Sequence, residues 1–411
     1  MANTLATPSW TLKEVGRYFL NDVTFVANVD RTYDDQYVQS GAKVGNTVNA
    51  RLPQRFVATD GQALQIQNLY DATVPITLTN QKNVAFSYSS AQQTTELDNI
   101  RQRYVQPAAE VLANAADVLT WQAVYRDIYN AIGVPGTTPS TTLAYLQGGV
   151  KLTDGAVPVK DRVAVLDPLA MATLANTTST LFNPSATISE NYKNGMFGRN
   201  QLGFSEWYQD PNRAAHTTGT FTACTPTVNG ANQTGSTLNT QAWASGATTL
   251  KRGDIFTVAG VNSVNPLSYQ DTGRLQQFVV TADTSDSGGN IAALPISPSI
   301  ITSGALQTVT ASPASGAAIQ VWNANTASGV LATTVSPTGM LFAPGTFAFV
   351  MADLAKPGAG AEATSVRSKQ FGISIRMVEQ YQIGTDQNPS RLDILIGAAT
   401  VQARGGCRVQ G

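Results

Sequence analysis

The sequence predicts a multi-domain α+β protein organised around one long helix, with an all-β segment inserted in its second half. Apolar residues repeat at three- and four-residue intervals between Thr95 and Gly133, the spacing of a helix. Runs with strand periodicity precede and follow this stretch. From Thr217 to Ser336 the chain is rich in Thr, Ser, Gly, Asn and Pro and has almost no helical signal.

Composition narrows the function classes. The chain has 411 residues, enough for two or three domains, but only 13% of them are charged, against about 25% in an average soluble protein. A net charge of −1 disfavours nucleic-acid binding as the main task. Cys224 and Cys407 suggest neither a disulfide framework nor a zinc site. No secretory signal or long apolar run occurs, so we expect a protein kept in the cytoplasm until it joins a larger assembly.

The long helix has recognisable ends. Thr95 and Asp98 resemble a capping box, and Pro107 suits the start of a helical segment. Gly133 can end the helix, and Pro135 prevents its continuation. From Pro107 onward such a helix would extend about 39 Å at roughly 1.5 Å per residue. A long core helix of an ordinary α+β protein fits these signals equally well.

Two adjacent apolar stripes define the buried face of this helix. Polar Glu110, Asn114 and Asp117 fall opposite them, so we expect these three side chains in solvent. The stripes consist of Tyr104, Ala108, Val111, Ala115, Val118, Tyr125, Tyr129 and Ile132, and of Val105, Ala109, Leu112, Ala116, Leu119 and Ala123.

An arm and a hairpin precede the helix. Thr11 with Glu14 forms a capping-box signature before a short amphipathic helix, Leu12 to Leu20. Alternating residues predict strands at Val48 to Leu52 and Val74 to Leu78, joined by a polar span from Gln54 to Asp71. An isolated two-stranded hairpin is barely stable in water. Its partner is either another subunit or the rest of its own domain, and periodicity does not decide between them.

Further elements follow the helix. A buried strand, Arg162 to Leu166, leads into a helix that starts at Asp167 and Pro168, and Gly195 to Tyr208 suits a strand with a tight turn. Inside the Thr- and Ser-rich segment, short β runs favour an all-β domain, and a disordered linker is the alternative. These runs are Ile255 to Val258, Gln277 to Thr281 and Ile319 to Trp322.

The C-terminal region predicts a weak helix at Phe347 to Asp353. Alternation from Ile373 to Met377, a turn at Gly384 to Pro389 and a strand at Leu392 to Ala398 then predict two long antiparallel strands that can pack against the long helix.

The sequence offers little for catalysis. His216 is the one histidine, and Cys224 lies eight residues away without a nucleophile signature around it, so we expect a surface histidine at a strand end. No phosphate loop or nucleophile elbow is present. Asp283, Ser285 and Asp286 faintly resemble a calcium loop but fit a polar turn better. We therefore predict no catalytic, cofactor-binding or metal-binding residues and a self-assembling structural subunit.

Short stretches in register along nearly the whole chain resemble the major capsid proteins of tailed bacteriophages, of the Salmonella podovirus coat-protein type. They lie at the N-terminus, at the entry to the hairpin, at both ends of the long helix and in the β segment. The stretches are Met1 to Leu5, Val29 to Asp35 with Gly41 to Gly45, Val105 to Leu112, Asp127 to Gly133, and Leu250 to Asp254 with Ala259 to Val261.

This resemblance implies the Hong Kong 97 phage capsid fold, an α+β fold with an N-arm, extended loop, spine helix and peripheral and axial domains, here with an inserted all-β domain. The implied divisions are the N-arm at 1–36, the extended loop at 37–92, the spine helix with the start of the peripheral domain at 93–133, the axial domain at 134–221, the inserted β-domain at 222–341, the axial return at 342–370 and the peripheral strands with the C-terminus at 371–411.

Members of this family form hexamers and pentamers of an icosahedral shell around double-stranded DNA. The resemblance thus implies self-association, a hairpin resting on a neighbouring subunit, a portal ring at one vertex, non-specific contact with the packaged DNA and no membrane. Some relatives crosslink covalently through a loop lysine, but no lysine lies between Val44 and Gln81. Others carry a cleaved N-terminal scaffolding segment. Because capsid-like sequence begins almost at once here, we expect a separate scaffolding protein and no cleavage.

Three other functions remain open at this stage. A cellular nanocompartment shell has the same fold and would hold enzyme cargo in place of DNA. A β-rich phage tail or surface-binding protein would leave the long helix unexplained. An enzyme is the most distant alternative and would have to use His216.

Overall fold

The computed structural model describes residues 23–34, 46–59, 61–62, 65–89, 91, 104, 106–178, 200–322, 332–358, 362–368 and 373–411. The chain divides into two compact units. The first comprises Met1–Ala50, Thr73–Ala123 and Phe347–Val401, and the second comprises Arg51–Ala72, Val124–Thr346 and Gln402–Gly411.

The described helices are Gln106–Val124 (α1), Thr142–Asp154 (α2) and Pro168–Thr178 (α3). The strands are, in chain order, Thr47–Arg51 (β1), Thr73–Thr77 (β2), Asn80–Ser89 (β3), Ala131–Gly133 (β4), Val163–Leu166 (β5), Glu206–Gln209 (β6), Ala215–Thr217 (β7), Thr227–Val228 (β8), Gly235–Gln241 (β9), Thr249–Leu250 (β10), Ile255–Val264 (β11), Asp271–Val280 (β12), Thr284–Ser285 (β13), Ile291–Ile300 (β14), Ile319–Val321 (β15), Val335–Phe342 (β16), Phe347–Met351 (β17), Glu362–Ser368 (β18), Ile373–Glu379 (β19), Gln387–Thr400 (β20) and Gly406–Gln410 (β21).

The first unit is built on an antiparallel sheet in which β20 pairs with β3, β17 and β19, and β19 pairs with β18. The predicted antiparallel pair near the C-terminus, β19 and β20, is confirmed. Their turn ends at Asp386, earlier than expected, and Pro389 already lies in β20.

The helix predicted at Phe347 to Asp353 is wrong, because this segment forms β17. All five residues of β17 are buried. On one side β17 pairs with β20, and backbone bonds also join it to Asp30: the amide of Asp30 donates to the carbonyl of Phe347 at 3.1 Å, and Phe349 donates to Asp30 at 2.9 Å. A strand buried on both faces reads as an unbroken apolar run, which periodicity cannot separate from a buried helix.

The predicted long helix is confirmed from Gln106 to Val124 and wrong beyond it. A 3₁₀ turn, Tyr125–Asp127, ends the helix, and the chain then enters β4, which runs parallel to the C-terminal strand β21. Ile132 therefore lies in a strand. Gly133 does adopt a left-handed conformation, with φ +83°, but it ends this strand.

The two hairpin strands are confirmed and pair with each other. Their apolar residues Val48, Ala50 and Ile76 are buried within the chain. Strand β20 backs onto the hairpin, because a Cβ added at Gly397 would lie only 2.5 Å from the carbonyl oxygen of Thr77. For these strands the hairpin packs on its own chain, the alternative that the sequence left open.

The second unit contains a mixed sheet of order β4-β21-β16-β5-β6, with β7 also paired to β16. The predicted strand β5 and the helix start at Asp167 and Pro168 are confirmed, and the amide of Met171 donates to the Asp167 carbonyl at 2.9 Å. Helix α2 packs closely on this sheet, since a Cβ at Gly148 would clash with the Leu341 side chain.

The inserted segment folds as an all-β domain, not as a disordered linker. Its six-stranded sheet has the order β15-β11-β12-β14-β9-β8, and all three predicted β runs lie in or against it. Seventeen buried apolar residues form its core, among them Trp243, Phe256 and Phe278. The sheet ends at Val321, and β16 belongs to the mixed sheet, so the β-domain stops short of residue 341.

Several predictions fall on residues outside the described ranges. These are the capping pairs Thr11–Glu14 and Thr95–Asp98, the helix from Leu12 to Leu20, and residues 195–199 of the strand-and-turn region, whose later part forms β6.

Candidate assembly interface

The hairpin extends beyond its strands into a segment, residues 51–72, that we call the loop. The strand pairing closes with the amide of Leu52 donating to the Ala72 carbonyl at 2.9 Å. Among the described residues of the loop, four large apolar side chains are exposed. They are Phe56 (59% exposed), Ile66 (86%), Leu69 (73%) and Tyr70 (65%). Several large apolar side chains exposed in one loop make it a candidate interaction surface.

Two glutamine side chains join the arms of the loop where no strand ladder is formed. Gln54 accepts a hydrogen bond from the amide of Tyr70 at 3.0 Å. Gln67 accepts one from the amide of Val57 at 2.9 Å and donates its own amide to the Val57 carbonyl. Side-chain amides thereby replace backbone pairing, and the loop presents its apolar residues on an ordered framework.

Within the first unit, Asp117 anchors the end of the N-terminal segment on helix α1. Its side chain is fully buried, so the prediction that it faces solvent is wrong. The carboxylate accepts the amide of Thr24 at 2.9 Å and that of Val26 at 3.0 Å. Phe25 stacks on Trp121 with ring centroids 4.1 Å apart. Asp117 thus anchors a segment some ninety residues earlier in the chain, while Asn114 on the same face is exposed as predicted.

His216 is buried, so the expected surface position is also wrong. Its Nε2 lies 2.9 Å from Oδ1 of Asp254, and its ring contacts Tyr125 edge-on. The other carboxylate oxygen of Asp254 accepts the amides of Gly219 at 3.0 Å and Lys251 at 2.8 Å. This carboxylate therefore joins β7 to the turn between β10 and β11 of the inserted β-domain.

Arg408 of β21 lies beside these contacts. We call His216, Asp254 and Arg408 together the junction. Nη2 of Arg408 donates to the carbonyl of Gly253 at 2.7 Å. Burial lowers the pKa of Arg408 to about 10, while the charge of Asp254 opposes that shift, so the guanidinium remains charged at neutral pH. Its Nε and Nη1 have no hydrogen-bond partner among the described residues. The C-terminal strand and the inserted domain are held together by this cation.

The junction predicts a pH dependence of stability. Burial, the largest cause, lowers the pKa of His216 below 6.5, and Arg408 and Arg126 act in the same direction against the hydrogen bond to Asp254. As pH falls below about 6.5 the unfolded chain binds a proton that the folded chain does not, so stability is full above that pH and declines below it. Thermal unfolding between pH 8 and 5 measures this decline. His216→Gln should flatten the curve over this range, and an equally steep curve would contradict the assignment.

A second contact fixes the inserted β-domain to the mixed sheet. The side chain of Gln277 binds both backbone groups of Ala131, accepting its amide at 3.0 Å and donating to its carbonyl at 3.1 Å. The indole of Trp322 donates to the Gly133 carbonyl at 3.0 Å. Strand β4 is thus paired on one edge by β21, and side chains from the inserted domain bind its remaining backbone groups.

The remaining candidates have structural roles. Asp286 accepts the amides of Gly246, Thr248 and Gly289 at 2.8 to 3.0 Å, which confirms a polar turn. Asp283 accepts the amide of Arg252 at 2.7 Å. Cys224 is half-buried, and burial raises the pKa of its thiol. In the described part of the chain, no three His, Cys, Asp or Glu residues are grouped as metal ligands.

Within the described residues, no helix combines the length and apolar character needed to cross a lipid bilayer. No curated protein matches the chain. Solved structures that resemble it include a chain from Mycobacterium phage Che8, at 12% identity over 94% of this chain and 90% of that chain, with a TM-score of 0.46. The bacteriophage PhiM1 mature capsid is 9% identical over 94% of this chain and 86% of that chain, with a TM-score of 0.42. The CUS-3 coat protein I-domain is 30% identical over 24% of this chain and 96% of that chain, with a TM-score of 0.19.

The fold is that of a shell-forming subunit with the Hong Kong 97 phage capsid fold. It combines a hairpin with an apolar loop, a long helix, a mixed sheet and an inserted β-domain. A family model described as "P22 coat protein - gene protein 5" matches residues 2–411, so the chain belongs to the P22 coat protein family. It is the major capsid protein of a tailed bacteriophage and a component of the virion.

Proposed function

We propose that copies of this subunit tile an icosahedral shell as hexamers and pentamers and enclose a double-stranded DNA genome. The observation that carries this proposal is the loop, which holds four large apolar side chains exposed on an ordered framework. A single subunit leaves this surface in water, and association with another copy removes it.

The proposed division of the chain follows the sheets of the fold, and it differs at β4, β17, β18 and β21 from the division that the resemblance implies. The segment around Thr24 to Asp30 is the end of the N-arm, the hairpin is the extended loop and α1 is the spine helix. The mixed sheet with α2 and α3 forms the axial domain, and the sheet around β20 forms the peripheral domain. The inserted domain, from about Phe221 to Val321, contributes a separate core and holds strand β4 through Gln277.

The proposed partners follow from this role. A separate scaffolding protein directs assembly in the host cytoplasm, a portal ring occupies one vertex, and packaged DNA touches the inner surface without sequence readout. With a net charge of −1 the subunit has little electrostatic attraction for the phosphate backbone. Neighbours associate without a covalent crosslink through a lysine of the extended loop, since residues 44–81 hold none. The proposed role is structural, and it assigns no catalytic task to His216, which is buried in a hydrogen bond to Asp254.

Electron microscopy of the chain expressed with and without the neighbouring phage genes tests the proposal. We expect closed shells with five- and six-fold capsomers, whose completed form contains DNA. A subunit that stays a monomer under both conditions would refute shell formation. Closed particles that hold an enzyme cargo and never DNA would support the nanocompartment instead.

A further inference from the structure

The inserted β-domain of the same chain holds the loop near its start, at Arg55 and Phe56, which we call the root of the loop. The hydroxyl of Tyr269 lies 3.1 Å from the carbonyl oxygen of Phe56 and 3.2 Å from that of Ala305. A phenol has one hydrogen to donate, so the two carbonyls share it. Phe56 lies beyond the last strand-type bond of the hairpin, at Leu52, and Tyr269 supplies a partner that the strand ladder does not.

The turn that carries Tyr269 fixes the direction of its side chain. Tyr269 has a φ of +57°, in the left-handed region that residues with a Cβ rarely adopt. Its amide donates to the Asn265 carbonyl at 2.8 Å, and the Asn265 amide donates to the Gln270 carbonyl at 3.0 Å. The Asn265 side chain accepts the amide of Leu267 at 3.0 Å. Such strain persists only where surrounding contacts maintain it, and it often marks a position with a function.

Arg55, the residue before Phe56, carries a charge that acts against the position of the loop root. Burial is the largest cause that lowers the pKa of Arg404, and the charge of Arg55 is the second. Nη1 of Arg404 is buried without a hydrogen-bond partner among the described residues. Like charges repel each other, so the charge of Arg55 disfavours close approach of this part of the loop to Arg404. The hydrogen bond from the Tyr269 hydroxyl to the carbonyl of Phe56, the residue after Arg55, opposes this repulsion.

We propose that Tyr269 is a positioning residue, a latch by which the inserted β-domain holds the root of the loop and sets where the exposed loop residues meet a neighbouring copy. The latch is a property of the single subunit. Its consequence for the neighbour rests on the proposed function.

Hydrogen exchange of the full-length subunit in dilute solution, read by mass spectrometry, tests the latch. Tyr269→Phe removes only the hydroxyl. Tyr269→Asn removes the reach of the side chain but supplies a residue that tolerates left-handed backbone, so the turn is preserved. Tyr381→Phe is the matched control, because the Tyr381 hydroxyl binds Asp386 at 3.0 Å within its own turn.

We expect amides of residues 54–71 to exchange several-fold faster in both Tyr269 variants and at the original rate in Tyr381→Phe, with strands β11 and β12 unchanged in all three. Unchanged loop exchange in the Tyr269 variants would overturn the latch. So would faster exchange in β11 and β12 to the same extent as in the loop, since it would make Tyr269 a general stabiliser of its domain.

Assembly of the same variants separates this inference from the proposed function. Faster loop exchange together with slower or irregular shell formation supports both. Faster loop exchange with normal shells retains the proposed function but refutes the role of the latch in presenting the loop.

Discussion

Replacing Asp254 with alanine is expected to destabilise the second unit by about 4 kcal/mol, because its buried carboxylate makes three hydrogen bonds and bonds to a charged group contribute about 1.5 to 3 kcal/mol each. The change leaves the amides of Gly219 and Lys251 and the His216 ring without their acceptor. It also removes the charge that favours the buried cation of Arg408. Chemical denaturation of the purified subunit, followed by tryptophan fluorescence, measures the loss.

Asp71→Ala is the matched control, because Asp71 is exposed on the loop. Its free energy of unfolding should stay within about 0.5 kcal/mol of the original protein, as for most surface substitutions. If Asp254→Ala had an equally small effect, the junction would not hold the inserted domain to the mixed sheet.

Replacing Asp117 with alanine is expected to destabilise the first unit by about 3 kcal/mol, since hydrogen bonds to a charged group contribute about 1.5 to 3 kcal/mol each. The amides of Thr24 and Val26 would lose their acceptor, and Phe25 would lose its fixed position on Trp121. Denaturation gives the free energy, and limited proteolysis around residues 23–34 reports release of the segment.

Gln122→Ala provides the control on the same helix, because Gln122 is exposed. It should leave both readouts unchanged. Protection of residues 23–34 in Asp117→Ala equal to that in the control would show that aromatic packing alone holds the segment, contrary to the anchoring role of the carboxylate.

The burial of Asp117 and of His216 could not be predicted from the sequence. Helical periodicity places Asp117 opposite the apolar stripes, and the solvent face is the usual place for such a carboxylate. It is buried because the amides that it binds come from Thr24 and Val26, which are remote in sequence. His216 is similar: its partner Asp254 lies 38 residues away, and no local pattern connects them.

Local signals did predict the elements with strong periodicity. The hairpin strands, the helix from Gln106 to Val124, the helix start at Pro168 and the inserted β-domain all follow from residue patterns. The errors lie where tertiary pairing overrides a local preference. Ile132 continues the helical stripe, yet pairing with β21 makes it a strand residue. Phe347 to Met351 reads as helix because a strand buried on both faces has no alternation.

The hairpin with its loop was predictable only in part. Its strands were predictable, but the polar span from Gln54 to Asp71 gave no sign of the glutamine contacts that order it. Phe56, Ile66, Leu69 and Tyr70 are scattered among polar residues in the sequence. Only the folded loop shows that each of the four is exposed, and this exposure is the basis of the proposed self-association.

The loop exposes apolar side chains that, as we propose, a second copy of the subunit covers. The most direct test of this proposal is electron microscopy of particles formed by a chain in which residues 54–71 are replaced by an Asn-Gly turn. The base of the hairpin is buried by its own chain, so the shortened subunit should fold with its original melting temperature. We predict that it forms no closed shells under conditions in which the full-length chain does. Normal closed shells from the shortened chain would contradict the account.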